Sequence, residues 1–190
     1  MSSRDLRSFI AIELPEKVKS ALTELQQELK QCKADIRWVK PDNIHLTLKF
    51  LGDTDKKSLD SIVEAIKAAC SGYGRFDLET RGVGVFPDMR TPKVLWAGIS
   101  DNDSLTGLQK DIENGLAKLG FSPEKRRFRP HLTLGRFKSS SGKEGLYDKI
   151  EERKDISLGS IEVKSIFLIK SELTPSGAEY TKIAGIDLKN

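Results

Sequence analysis

Apolar positions along this chain recur with two different spacings, and the alternation between them sketches the fold. Phe9 to Leu14 (FIAIEL) reads as a strand ended by Pro15. From Glu16 to Cys32, Val18, Ala21, Leu22, Leu25 and Leu29 return at helical spacing, which predicts an amphipathic helix. Ile36 to Val39 is short and extended, and Pro41-Asp42-Asn43 signals a turn. Ile44 to Leu51 reads as a strand closed by Gly52-Asp53. Lys56 to Cys70 is a second helix, with Leu59, Ile62, Val63 and Ile66 on one face, and Phe76 to Phe86 is strand-like despite Gly82 and Gly84. The plan then repeats. Val94 to Ile99 is a strand, and Ser104 to Leu119 is a helix carrying Leu105, Leu108, Ile112, Leu116 and Leu119. Phe128 to Phe137 contains a strand, and Gly142 to Ile150 is a short helix. Ile156 to Ile161, Val163 to Ile169 and Tyr180 to Leu188 read as β, with a Thr174-Pro175-Ser176-Gly177 turn before the last. Long helices between several strands predict an α+β fold with mainly antiparallel sheets. At 190 residues, with no low-complexity linker, the chain is expected to form one bilobal domain over 1–190.

Composition narrows this little further. Hydrophobic residues make up 37% and charged residues 32%, which sets aside disordered and collagen-like classes. No apolar run approaches a bilayer span, and Met1-Ser2-Ser3-Arg4-Asp5 has no signal-peptide stretch, so a cytoplasmic protein is expected. Cys32 and Cys70 lack CxxC spacing and read as free thiols. A net charge of +4 permits a phosphate-bearing partner without requiring one.

The chemistry concentrates in two places. The chain has 2 histidines, and both begin the same tetrapeptide: His45-Leu46-Thr47-Leu48 and His131-Leu132-Thr133-Leu134, 86 residues apart. Phe9 precedes His45 by 36 residues, and Leu95 precedes His131 by the same 36. Matched spacing in two halves predicts a duplicated, pseudo-twofold architecture around a central cleft. On a strand, side chains alternate faces, so His45 and Thr47 share one face while Leu46 and Leu48 share the other; His131 and Thr133 stand likewise against Leu132 and Leu134. Each motif then presents an imidazole beside a hydroxyl, anchored by two leucines. Near neutrality one imidazole can act as base while the other, protonated, acts as acid. A metal site needs three or four ligands, and neither a third histidine nor a nearby cysteine supplies them. No metal and no cofactor is expected.

Paired HxTx motifs on strands of two related lobes resemble the 2H phosphoesterase superfamily. The fuller pattern WVKPDNIHLTLKFLG, RPHLTLGRF and SELTPSGAEY is similar to its bacterial and archaeal RNA 2′,3′-cyclic phosphodiesterases, historically called 2′-5′ RNA ligases. The similarity spans about Arg7 to Leu188. It implies metal-independent hydrolysis of RNA 2′,3′-cyclic phosphate ends, or of nucleoside 2′,3′-cyclic phosphates, to 2′-phosphomonoesters; a monomer is expected. It also implies that His45 donates the proton, that His131 accepts one, and that Thr47 and Thr133 steady the phosphorane, with 2′-5′ ligation as the reverse reaction. Small cyclic nucleotides, 2′-5′ oligonucleotides and a non-catalytic RNA-end binder stand as alternatives.

Four further residues are candidates for substrate binding. Phe9 faces the cleft if Ile10, Ile12 and Leu14 fill the core; there it stacks on a base or ribose, or joins the interlobe core. Lys49 has the parity of His45 and Thr47, so it is placed on their face, meeting phosphate or solvent. Arg136 has the opposite parity from His131, yet the resemblance places a phosphate-reaching cation here; a bulge at Gly135 would re-aim it. Arg129 ends the run Lys125-Arg126-Arg127-Phe128-Arg129, which either tracks an RNA backbone or is a solvated loop. Trp38 is either a base platform or a lid on the core.

Overall fold

The computed structural model describes residues 5–139, 141–175 and 177–190. Nine strands and four α-helices follow one another as β1 (Leu6–Ile12), α1 (Glu16–Lys30), β2 (Ile36–Trp38), β3 (Leu46–Thr54), α2 (Leu59–Cys70), β4 (Phe76–Phe86), β5 (Val94–Ile99), α3 (Asp103–Ala117), β6 (His131–Phe137), α4 (Lys143–Glu152), β7 (Ser157–Val163), β8 (Ser165–Thr174) and β9 (Gly177–Asp187). The N-terminal residues 1–4 and Ser176 of the expected turn lie outside the described residues.

The duplication is visible in this order. A shift of 86 residues lays β1 on β5, α1 on α3, β3 on β6, α2 on α4 and β4 on β8. Strands pair antiparallel in the order β7-β4-β5-β6-β3-β1-β8-β9, with β2 beside β6. The sheet is thus two four-stranded halves, with β2 added beside β6, and among the described residues its strands join the halves where β3 crosses β6. That seam is a single pairing, Leu46 with Leu132, the second residues of the two motifs. The strand after each repeat joins the other half: β4 pairs with β5, and β8 pairs back on β1.

Helices exchange in the same sense. Gln26 of α1 is buried and donates its amide to the Leu134 carbonyl at the end of the second motif (2.9 Å) and to the Val39 carbonyl. Gln109 of α3 donates to the Leu48 carbonyl at the end of the first motif (3.4 Å). Each motif's last carbonyl is therefore satisfied from the helix of the opposite repeat, which a buried carbonyl requires. The main core lies on the helix side of the sheet and is continuous between the halves, with Ile10, Leu22, Leu46, Ile62, Leu95, Leu108, Leu132 and Ile166 in one cluster. A small second cluster, Phe9, Ala11 and Ile169 with Phe167 against them, sits on the other face of β1.

Element boundaries differ from the sequence reading in one instructive place. Gly52-Asp53 does not close β3, which continues to Thr54. Gly52 adopts φ +71° where the β1 partner register jumps from Ser8 to Phe9, so it forms a β-bulge inside the strand rather than its end.

Candidate active site

The site is built at the seam. Leu46 and Leu132 point into the core, both fully buried, so their neighbours His45, Thr47, His131 and Thr133 stand on the opposite face at the crossing of the two strands. All four are half-buried.

Both imidazoles are held identically. His45 Nδ1 donates to the Asn43 carbonyl (2.9 Å), and His131 Nδ1 donates to the Arg129 carbonyl (2.8 Å), in each case two residues back along the chain. A carbonyl can only accept, so Nδ1 carries a proton and Nε2 is the nitrogen available for chemistry. Asn43 is itself pinned, its Nδ2 donating to the Ala178 carbonyl of β9 (2.8 Å). Burial lowers both histidine pKa values below the ordinary 6.5, and the backbone bond opposes this in each. The remaining charges differ. Glu13 favours the proton on His45, whereas Arg136 disfavours it on His131.

Lys49 does not share the face of His45 and Thr47. Its β1 partner is Ile10 while that of Thr47 is Ala11, so Leu48 is an extra residue and the strand bulges there. Beyond the bulge the parity inverts. Lys49 is 6% exposed and bonds Glu113 of α3 at 2.7 Å and the Ser122 carbonyl at 3.0 Å. The expected phosphate contact is replaced by a buried ion pair. Phe50 takes the cleft position instead, 69% exposed, its ring 6.0 Å from Phe9.

The second motif bulges at the same point. Trp96 pairs with Thr133 and Leu95 with Gly135, leaving Leu134 extra. A Cβ on Gly135 would fall 2.4 Å from Ile36 Cγ2, so only glycine lets β2 pair against the bulge. Arg136, the counterpart of Phe50, is thereby re-aimed: it is exposed, and its charge reaches both His131 and Tyr180.

Phe9 is on the cleft side of β1 but only 2% exposed, with its ring stacked on the His45 imidazole (4.6 Å, 24°). It supports the imidazole from beneath and has no free face for a base. Tyr180 of β9, to which the sequence reading gave no chemistry, is 37% exposed and packs edge-on to both Phe9 (5.1 Å) and His45 (5.3 Å). The open aromatic surface of this half is therefore Phe50 and Tyr180. On the other half, Phe86 packs edge-on to His131 (5.1 Å) and against Trp96. The Arg129 side chain is exposed beside them. Trp38 is half-buried against the core with the Lys30 ammonium 5.5 Å from its ring. Among the described residues, no group of three or more His, Cys, Asp or Glu is placed to hold a metal ion. Among them, too, no helix is long and apolar enough to cross a membrane.

Two imidazoles and two hydroxyls, one pair from each repeat, thus stand on one face at the crossing of β3 and β6. The LigT-like phosphoesterase profile matches residues 12–96 and 98–180, one motif in each stretch. The chain belongs to that family. It is 36% identical to the RNA 2′,3′-cyclic phosphodiesterase of Methanothermobacter thermautotrophicus over 93% of this chain and 95% of that one. It is 34% identical to the enzyme of the same name from Thermotoga maritima, over 92% and 91%. Among solved structures, TT0787 of Thermus thermophilus superposes with a TM-score of 0.82 at 27% identity, covering 97% of this chain and 98% of that one. Escherichia coli LigT in its apo form gives 0.79 at 23% identity, covering 99% and 100%, which extends the likeness of fold.

Proposed function

We propose that this protein hydrolyses RNA 2′,3′-cyclic phosphate ends to 2′-phosphomonoesters by acid–base catalysis between His45 and His131, without a metal. The class is that of a cyclic phosphodiesterase, as its relatives of 34% and 36% identity are named. The observation that carries the mechanism is the mirrored hold on the two imidazoles: each is fixed by the carbonyl two residues back, with Nε2 left available.

In this reading His131 Nε2 takes a proton from water as its oxygen bonds phosphorus, and the P–O3′ bond breaks. His45 gives its proton to the departing O3′. The product carries a 3′-hydroxyl and a 2′-phosphate, and solvent exchange restores both histidines. The assignment of acid and base draws on the unequal neighbours: Glu13 favours a charged His45, and Arg136 favours a neutral His131. Thr47 and Thr133 donate to the non-bridging oxygens, and Arg136 offsets their charge. With a 5′-hydroxyl in place of water the same steps form a 2′-5′ linkage. Both histidines belong to one chain, so the reading needs no second copy.

The test is hydrolysis of an oligonucleotide ending in a 2′,3′-cyclic phosphate, with and without EDTA, with the product's phosphate position determined. A 2′-phosphate at an unchanged rate is expected. Loss of activity on chelation, restored by zinc or manganese, would move the case to metal catalysis. Binding without turnover would make the protein an RNA-end binder.

A further inference from the structure

A cavity of about 420 Å³ opens directly beside His131, on the half of the molecule away from His45. Its aromatic wall is Trp96 and Phe86, whose rings lie 5.1 Å apart. The wall is built in. A Cβ on Gly84 would fall 2.3 Å from Trp96 Cζ2, and one on Gly98 would fall 3.3 Å from Trp96 Cζ3, so two glycines leave the space in which the indole lies across the strands. Trp96 Nε1 is buried and unbonded among the described residues, which leaves ring carbon rather than a donor for a ligand. The rim carries Arg81, Arg127 and Arg129, with Asp101 as the acid among them. Arg127 and Arg129 make no ion pair among the described residues, while Arg81 stands 3.7 Å from Glu79. A flat apolar face ringed by cations suits a nucleobase and a phosphodiester, and it reads stacking rather than base identity.

The side on which the cavity lies decides which nucleoside it takes. This step rests on the roles given to His45 and His131 above. Displacement at phosphorus places the attacking and leaving oxygens roughly in line. O3′ leaves toward His45, so the ribose and base of the cyclic nucleotide belong on that half, beside Phe50 and Tyr180. The attacking oxygen enters from the His131 side, where the cavity is.

We propose that the Trp96–Phe86 cavity is a second-nucleoside site, which seats the nucleoside whose 5′-oxygen lies on the His131 side of phosphorus. In transfer, its 5′-hydroxyl loses a proton to His131 and bonds phosphorus, P–O3′ breaks, and O3′ takes the proton of His45; no water enters the balance. In reverse, a 2′-5′-linked dinucleotide places its 5′-oxygen-bearing nucleoside in the cavity. The 3′-hydroxyl of the other nucleoside gives its proton to His45 and attacks, and His131 protonates the departing 5′-oxygen. The arginines meet the next phosphate of that strand, so an acceptor dinucleotide is preferred to a bare nucleoside.

The experiment compares three reactions of the intact protein: hydrolysis of a mononucleoside 2′,3′-cyclic phosphate, transfer of that phosphate to a 5′-hydroxyl dinucleotide, and cleavage of a trinucleotide whose first linkage is 2′-5′ and whose second supplies the phosphate that the arginines meet. The exposed double variant Arg81→Ala/Arg127→Ala and, separately, Trp96→Leu are expected to leave the first unchanged. They should lower transfer and 2′-5′ cleavage about 10- to 100-fold, the size of one lost stacking contact. Equal losses in all three reactions, or no loss in the last two, would overturn the assignment. So would a wild-type protein that hydrolyses the cyclic phosphate but neither transfers nor cleaves; the acid–base reading would then stand alone. Absence of cyclic-phosphate hydrolysis itself would instead overturn that underlying reading and the cavity's role with it.

Discussion

The two motifs spell the same four residues, hold their histidines by the same backbone bond, and bulge at the same point, yet they sit in different company. Around His45 are Phe9, Phe50, Tyr180 and the carboxylate of Glu13; around His131 are Phe86, Trp96 and the guanidinium of Arg136. Five residues beyond each histidine, past the bulge, one copy carries Phe50 and the other Arg136. The difference teaches that the repeat carries two imidazoles and two hydroxyls in matched positions, whereas the groups around them do not repeat. A symmetric pair has no reason to prefer one histidine as the acid. A carboxylate on one side and a cation on the other give it one.

The largest effects should come from removing what the halves share. His45→Ala and His131→Ala are each expected to lower cyclic-phosphate turnover by about 10²–10⁴-fold, with much smaller effects on substrate affinity. Because the proposed mechanism has the two act in one step, the double variant should be little worse than either single one. Near-normal turnover by folded His131→Ala would end the two-histidine account. Thr47→Val and Thr133→Val keep shape and strand preference while deleting the hydroxyl, and each should cost about 10²–10³-fold in kcat. A loss confined to one of them would show that the pair is unequal in the transition state.

Lys49 tests the inverted parity. Lys49→Met would strand Glu113 in the protein interior, and breaking a buried pair costs about 3–5 kcal/mol, read as a fall in thermal or denaturant midpoint. The folded fraction should still turn over normally, since the ammonium faces α3 and not phosphate. A stable variant with poor phosphate affinity would return Lys49 to the cleft.

The smallest effects should be displacements of the pH profile, and they sharpen the comparison most. With His45 as the proposed acid and His131 as the proposed base, activity requires a charged His45 and a neutral His131, so the rate is expected to fall at high pH as His45 loses its proton and at low pH as His131 gains one. Glu13→Gln removes a group that favours the imidazolium, lowers the His45 pKa further, and should move the alkaline limb to lower pH. Arg136→Gln removes a cation that disfavours the imidazolium, raises the His131 pKa, and should move the acidic limb to higher pH. If Glu13→Gln moved the acidic limb and Arg136→Gln the alkaline one, the assignment of acid and base would be reversed.

Much of this molecule was legible along the chain because its signals are local. Helical spacing, strand alternation and the 86-residue repeat of HLTL depend only on near neighbours, and they yielded the α+β class, the order of elements and the two half-sites. Gly135 also hinted at its bulge. The first bulge had no such mark, since Leu48-Lys49-Phe50 continues to alternate as a regular strand would. One inserted residue in the pairing with β1 sent Lys49 to α3 and Phe50 to the cleft, and pairing register is a property of two strands rather than one. The same holds for Phe9, whose parity placed it on the cleft side while its burial under His45 depended on Tyr180 arriving from β9. Sequence by itself singled out His45, Thr47, His131 and Thr133 and showed that they come as two copies of one motif. Tertiary structure alone decided their surroundings, because Glu13, Arg136, Tyr180 and the Trp96 cavity act through space, across strands that meet only when the two halves close at Leu46 and Leu132.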